Sequence, residues 1–189
     1  MQNKKTKFNL QANIMDLSWE YKLSGDQRSN PVVYVKQVEE KYVSKLPFPN
    51  EQQMLKVFQV TKFKRHTSRL TTWGRELDGS NNPVIKDSPH WIAVRNGTPI
   101  HYDPRYPRYS HHLKVRCDEG VFVRGMNKVE TELKRGTFYV LDAHSPHQIL
   151  NKSFFDTWNV AVSIDSDRVY DYQEALDICV KYAGESTFI

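Results

Sequence analysis

The chain has 189 residues, 39% hydrophobic and 12% aromatic, with a formal net charge of +5. That length can bury a real core in one domain, and the composition excludes an extended disordered chain. The charge is too modest to make a nucleic-acid binder by itself, and no apolar run approaches the roughly 20 residues that span a bilayer. The positive start Met-Gln-Asn-Lys-Lys-Thr-Lys lacks the apolar stretch of a signal peptide, so a cytoplasmic protein is expected. Cys117 and Cys179 fit a reducing compartment, and neither sits in a CxxC pair that would suggest a thiolate metal site.

Residues 1–30 are polar and mixed and read as a loose entry. Val32 to Ser44 reads as a helix after Pro31, with Val35, Val38 and Tyr42 at helical spacing, although Val32-Val33-Tyr34-Val35 also suits a short strand. Asn50 to about Val60 reads as a second helix, with Asn50 as its cap. Lys62, Lys64, Arg65, His66, Arg69 and Arg75 form a basic run without an acid, as a solvated face or an anion-facing segment. Gly79 to Pro83 is a loop.

After about residue 88 the texture changes to short β-branched and aromatic segments separated by turn residues. Strands are expected near 91–95, 98–102, 110–117, 120–124, 129–133, 137–141, 146–150 and 157–165. Asp171 to Tyr182 reads as a closing helix, apolar at Ala175, Leu176, Cys179 and Val180, with Gly184 after its end. The expected architecture is a single mainly β domain. Residues 1–90 form an N-terminal helical and loop elaboration, 91–166 a barrel-like sandwich core, and 167–189 the closing helix.

Five of the seven histidines fall between positions 101 and 147. In His101-Tyr102-Asp103 the two outer side chains share one face of a strand and can reach one ion together. His147 lies 44 residues after Asp103. Two histidines and one carboxylate form the facial set that holds iron(II) and leaves about three positions open. His111 and His144 are rival ligands. His111 reads as a satisfied core histidine, and His144 as a loop residue.

From Gly97 to Asp165 the chain resembles the aspartyl/asparaginyl β-hydroxylase family of iron(II)- and 2-oxoglutarate-dependent dioxygenases. The resemblance rests on His101, on His112-Leu113, on Gly136 before a strand ending in Leu141-Asp142, on His147, and on Asn151 and Ser153 before a strand ending in Asp165. It implies a double-stranded β-helix, a jelly-roll of the cupin-like kind. It also implies His101 and His147 as metal ligands and His112 beside the 2-oxoglutarate carboxylate, while Asp103 is the carboxylate of the general dioxygenase triad. The sequence departs from the family at two arginines. One is Ser110 here. The other, on the last strand, pairs with the distal carboxylate of 2-oxoglutarate, and its place holds Thr157, Trp158 or Asn159.

Strand alternation offers a substitute for the missing arginine. Ser110, His112, Lys114 and Arg116 would share one polar face, opposite His111, Leu113, Val115 and Cys117. A dicarboxylate needs cationic donors, so Lys114 or Arg116 would anchor it, with Arg124 a further candidate. Arg105 and Arg108 lie in a Pro-stiffened loop that reads as a substrate-facing lip or equally as a surface loop. Tyr102, Tyr139 and Trp158 are expected to pack.

The expectation is a hydroxylase with Fe(II) and 2-oxoglutarate as cofactors, His101, Asp103 and His147 as catalytic metal ligands, and Ser110, His112, Lys114 and Arg116 as cofactor-binding residues. Its substrate would be a small molecule, a peptidyl side chain or another macromolecule, with an anionic one compatible. Nucleic acid is not favoured and no membrane is expected. The alternative is a non-catalytic or other metal-binding cupin-like protein that has lost 2-oxoglutarate use.

Overall fold

The structure is a computed structural model that describes residues 13–14, 30–53, 59–64, 70–75, 86–104 and 106–185. The first elements are β1 (Asn13–Ile14), β2 (Val32–Gln37), the single helical turn α1 (Glu40–Val43), β3 (Gln59–Lys64) and β4 (Leu70–Arg75). β5 (Pro89–Arg95), β6 (His101–Tyr102), β7 (Tyr109–Cys117), β8 (Val121–Gly125) and β9 (Glu130–Glu132) follow. The chain continues through β10 (Thr137–Asp142), β11 (His147–Asn151), β12 (Trp158–Ser166) and the helix α2 (Tyr172–Glu185).

The strands form two antiparallel sheets, ordered β1-β6-β11-β8-β9 and β2-β10-β7-β12-β5-β4-β3. Neighbours distant in sequence, such as β6 with β11 and β7 with β12, pair across long connections. This is the double-stranded β-helix arrangement that the family resemblance implied, and it meets the barrel-like sandwich expected from the short-strand pattern. Inside it, Val94, Tyr139 and Leu141 of the larger sheet pack with Val121, Val123 and Ile149 of the smaller one. The outer face of the larger sheet is covered by α2, whose Ala175, Leu176 and Cys179 bury against Leu113, Val115, Val160 and Val162. No helix among the described residues is long and apolar enough to cross a membrane.

The N-terminal part departs from its reading. Val32 to Gln37 is a strand, and only Glu40–Val43 is helical. The β-branched residues pair along β10, Tyr34 against Val140 and Val35 against Tyr139, so an open sheet edge overrides the helical spacing. At Asn50 the cap is present: its Oδ1 accepts from the Gln53 N–H, and Gln53 Oε1 accepts from the Asn50 N–H. The helix does not reach Val60, which lies in β3. β3 and β4 also carry Lys62, Lys64 and Arg75 of the basic run into the larger sheet, so the region before residue 90 contributes strands where helices and loops were expected. Residues 65–69 and the loop at 79–83 lie outside the described residues. From residue 89 onward the expected strands appear within a few residues of their places, β6 being the shortest. Gly184 lies inside α2 rather than beyond it.

One irregularity positions the site. In the β7–β12 ladder Lys114 faces Ala161 and Arg116 faces Val160, so Val115 is an extra residue, a bulge. Arg135 ties this point down. Its guanidinium donates to the Val115 carbonyl and to those of Val43, at the end of α1, and of Leu46 and Pro47 just after it. The turn into β10 passes close beneath, at Gly136 (φ +79°), where a Cβ would sit 2.6 Å from both Gln37 Nε2 and Val43 Cγ2. Any larger residue would push this junction apart.

Candidate metal and small-acid site

His101 begins β6 and His147 begins β11, and the two residues face each other as register partners across the smaller sheet. Asp103 follows β6. Its N–H donates to the Ala143 carbonyl, and the Ala143 N–H donates to that of Arg108, which fixes the turn beside the start of β7. The three side chains converge. Asp103 Oδ2 lies 3.8 Å from His101 Nε2 and 3.9 Å from His147 Nε2, and the two imidazole centres are 4.4 Å apart. One potential ligand atom from each residue lies within 4.8 Å of the others.

The imidazoles are oriented for metal binding by the backbone. His101 Nδ1 is 2.8 Å from the Pro99 carbonyl, and His147 Nδ1 is 2.8 Å from the Ser145 carbonyl. A carbonyl only accepts, so each Nδ1 carries a proton, and Nε2 is the nitrogen left to serve as a ligand atom. Backbone support of this kind is what orients metal-ligating histidines. Burial, and next the neighbouring His101, pushes the His147 imidazole down to about 3, which keeps it neutral and able to ligate at ordinary pH. Two imidazoles and a carboxylate suit iron(II), zinc or manganese, and the set leaves room for further ligands.

The triad opens into a cavity between the sheets, with about 80 Å³ open to the centres of water molecules. At 10–15 Å³ each that is roughly five to eight positions, the scale of a small organic acid. Its walls are apolar at Ile92, Val94, Leu141 and Ile149. Its floor is the inner face of β7 and β12. Along that floor the cross-strand pairs run Ser110 with Asp165, His112 with Ser163, and Lys114 with Ala161, with Asn159 the next inward residue of β12.

The floor is polarised. At the Asp103 end, Ser110 Oγ donates to Asp165 Oδ1 at 2.5 Å, and His90 Nε2 lies 3.8 Å from the same carboxylate. In the middle, His112 Nδ1 contacts Ser163 Oγ at 2.6 Å, and its ring stacks on Tyr139 at 4.6 Å. Burial first, and then the charge of Lys114, pushes His112 well below the usual histidine range, so it is neutral. At the far end lies Lys114, 3% exposed, with its ammonium 5.0 Å from the centre of the Tyr139 ring. No carboxylate pairs with it among the described residues, and burial lowers its pKa from 10.5 to about 8.

Of the residues expected from sequence, His101, Asp103, His147, Ser110, His112 and Lys114 all line this cavity. Arg116 does not. The bulge at Val115 reverses the alternation, so Arg116 turns out to the Pro49 carbonyl (2.8 Å), Asp118 and the Phe48 ring, and Cys117 turns inward. Ser110 reaches the cavity but donates its hydroxyl hydrogen bond to Asp165, so it is no donor for a ligand carboxylate. Arg124 is engaged by Glu130 at 3.6 Å.

The rival histidines are otherwise occupied. His111 uses both ring nitrogens, on Ile164 and Tyr170, and His144 Nε2 lies 2.8 Å from the Tyr106 carbonyl on an exposed turn. In the lip, Arg108 pairs with Asp142 at 3.1 Å, while Tyr106 lines the cavity. Arg105 lies outside the described residues. Trp158 packs in the outer core as expected, but Tyr139 also forms cavity wall. Sequence reading gave no separate role to Asn159 or Asp165. Their place on the inward face of β12 was signalled only by the alternation of polar Asn159, Ser163 and Asp165 with apolar neighbours.

No family model matches the chain, and no curated protein matches it. Solved structures do. The plu4264 protein from Photorhabdus luminescens is 10% identical, over 65% of this chain and 90% of that one, with a TM-score of 0.37. A cupin 2 conserved barrel domain protein from Rhodopseudomonas palustris is 10% identical, over 57% of this chain and 71% of that one, with a TM-score of 0.37. A salicylate 1,2-dioxygenase from Pseudoaminobacter salicylatoxidans with gentisate is 12% identical, over 48% of this chain and 24% of that one, with a TM-score of 0.34. The chemistry of the site therefore rests on its own residues.

Proposed function

We propose that the chain is an iron(II)- and 2-oxoglutarate-dependent oxygenase of the aspartyl/asparaginyl β-hydroxylase kind. It would hydroxylate an unactivated C–H bond of an amino-acid, peptidyl or other macromolecular substrate. One observation carries the reading: a convergent His101–Asp103–His147 set and a buried cation without a carboxylate partner, Lys114, line the same small cavity. A metal site alone would suit many functions. A dicarboxylate that chelates the metal and extends to a cation needs both ends.

The residues fit the group. His101 and His147 present Nε2 atoms and Asp103 a carboxylate, so the three would hold the ion on one face. With oxygen, iron(II) and 2-oxoglutarate supply the oxidising power for hydroxylation, and the oxoacid leaves as succinate and carbon dioxide. The chain's own contribution is positioning. Lys114 offers a charge-assisted hydrogen bond at the end of the cavity away from Asp103 and Asp165, where a second carboxylate meets least repulsion. His112, held by Ser163 and the Tyr139 ring, offers a neutral edge midway. The apolar walls exclude water, which strengthens each of these contacts.

The test is anaerobic titration of 2-oxoglutarate into the iron(II) protein, watched for the weak visible charge-transfer band of the chelated oxoacid. The expected result is a band in wild type that is lost in His101→Ala. Iron bound without a band would overturn 2-oxoglutarate use, and no iron bound would overturn the metal site.

A further inference from the structure

We infer that Asn159 is a ligand-binding residue which, with Lys114, forms the recognition end of the cavity for a carboxylate of a small organic acid. The inference rests on the proposed reading for the identity of that acid, 2-oxoglutarate. The placement of the two residues stands apart from it.

Asn159 is 2% exposed and lines the cavity, yet neither its Nδ2 nor its Oδ1 has a hydrogen-bond partner among the described residues. A buried amide without partners is costly, and native structures rarely keep one without a reason. The local sequence offers no apolar excuse. Asn159 sits in the middle of the larger sheet with Val94 on one side and Cys117 on the other, where a valine or leucine would pack well. Lys114 faces Ala161, the inward residue next to Asn159 on β12, and its ammonium has no carboxylate partner among the described residues. Both residues line the same cavity.

One ligand group answers both needs. A carboxylate accepts from the lysine ammonium and from the asparagine Nδ2–H, so one anion satisfies a buried charge and a buried amide donor. A hydroxyl would not neutralise the charge. The rest of the cavity directs such an acid, because Asp103 and Asp165 stand at the other end. Among the described residues lining the cavity the sole Lys or Arg is Lys114, so this end is built for one negative charge.

The experiment compares 2-oxoglutarate with 2-oxopentanoate, which carries a methyl in place of the distal carboxylate. Each is titrated by calorimetry into manganese(II)-loaded wild type, Asn159→Leu, Asn159→Asp and Lys114→Met. Glutarate and succinate are run in parallel by thermal shift on the metal-free protein. In wild type 2-oxoglutarate should bind at least tenfold more tightly than 2-oxopentanoate. That preference should fall to threefold or less in all three variants, with manganese affinity unchanged. A structural role alone would weaken both acids together and leave the ratio intact. Asn159→Asp keeps the shape of the side chain and sets a negative charge against the carboxylate, so it serves if Asn159→Leu misfolds.

A wild-type ratio retained in folded Asn159→Leu or Asn159→Asp would overturn the inference. If 2-oxoglutarate fails to bind but glutarate or succinate binds wild type and not the Asn159 variants, the inference holds and the 2-oxoglutarate reading falls. If no acid of the panel binds wild type, the inference falls.

Discussion

β12 is buried along its whole length, yet its two faces serve different ends. Trp158, Val160, Val162 and Ile164 face α2 and join an apolar cluster with Leu113, Val115 and Leu176. Asn159, Ala161, Ser163 and Asp165 alternate with them on the inner face, where Asn159 and Asp165 line the cavity and polar groups are held by single partners or by none. Burial is the same on both sides, so burial does not mark the functional face. The difference lies in how much polar chemistry each face carries. The outer face is apolar, with the Trp158 indole N–H the one side-chain polar atom of these four β12 residues and unpartnered among the described residues, while the inner face keeps unmet hydrogen-bonding capacity beside a cavity that a ligand can fill.

The outer face should break first and hardest. Leu176 is fully buried under α2, and Leu176→Ala should cost about 2–5 kcal/mol in urea denaturation. The folded fraction should bind metal as wild type does, because the triad lies on the other side of the sheet.

The inner face should respond in the opposite sense. Lys114→Met removes a buried cation that has no carboxylate partner, so the metal-free variant should be more stable than wild type at pH 7 while binding oxoacid less well. A drop in pKa from 10.5 to about 8 corresponds to a penalty of about 3 kcal/mol. The sign with pH follows. Between about 8 and 10.5 the unfolded chain binds the proton and the folded chain does not, so wild-type stability rises with pH there and the variant's advantage shrinks. Denaturation at pH 7 and pH 10 checks both statements, and a variant less stable than wild type at pH 7 would contradict the account of the inner face.

The smallest effect separates the two faces at one residue pair. His111 and His112 are neighbours on β7, but His111 points to the closed side. Its Nδ1 donates to the Ile164 carbonyl (3.1 Å), and its Nε2 accepts from the Tyr170 N–H (2.9 Å), which pins the segment entering α2. Burial lowers the His111 pKa, so below about 6.5 the unfolded chain takes up the proton first and stability falls as pH drops. His111→Gln should lose about 1 kcal/mol at pH 7. Its stability should fall less than wild type's between pH 7 and pH 5, because only this residue's share of the acid loss is removed.

How far the sequence reaches is clearest on β7. Alternation alone placed Ser110, His112 and Lys114 on the cavity face and Leu113 and Val115 on the other, because side-chain direction in a strand has a period of two. The same rule failed at Arg116, where one bulged residue shifted the phase. Nothing local marks that bulge: it is held by Arg135 and by carbonyls at the end of α1 and just after it, far away in the chain. The N-terminal misreading has a similar origin. Val32 to Gln37 carries both helical spacing and β-branched residues, and the free edge of β10 decided between them.

The sequence by itself determined what depends on neighbours along the chain: the succession of short strands and turns, the closing helix, and the sharing of one strand end by His101 and Asp103. Tertiary structure decided what depends on pairing between distant strands. It brought His147 opposite His101, turned Arg116 away, hydrogen-bonded the Ser110 hydroxyl to Asp165, and left at one end of the cavity Lys114 without a carboxylate partner and Asn159 without a hydrogen-bond partner among the described residues. Whether a buried polar group is satisfied depends on atoms far apart in sequence, and alternation along a single strand carries no record of them.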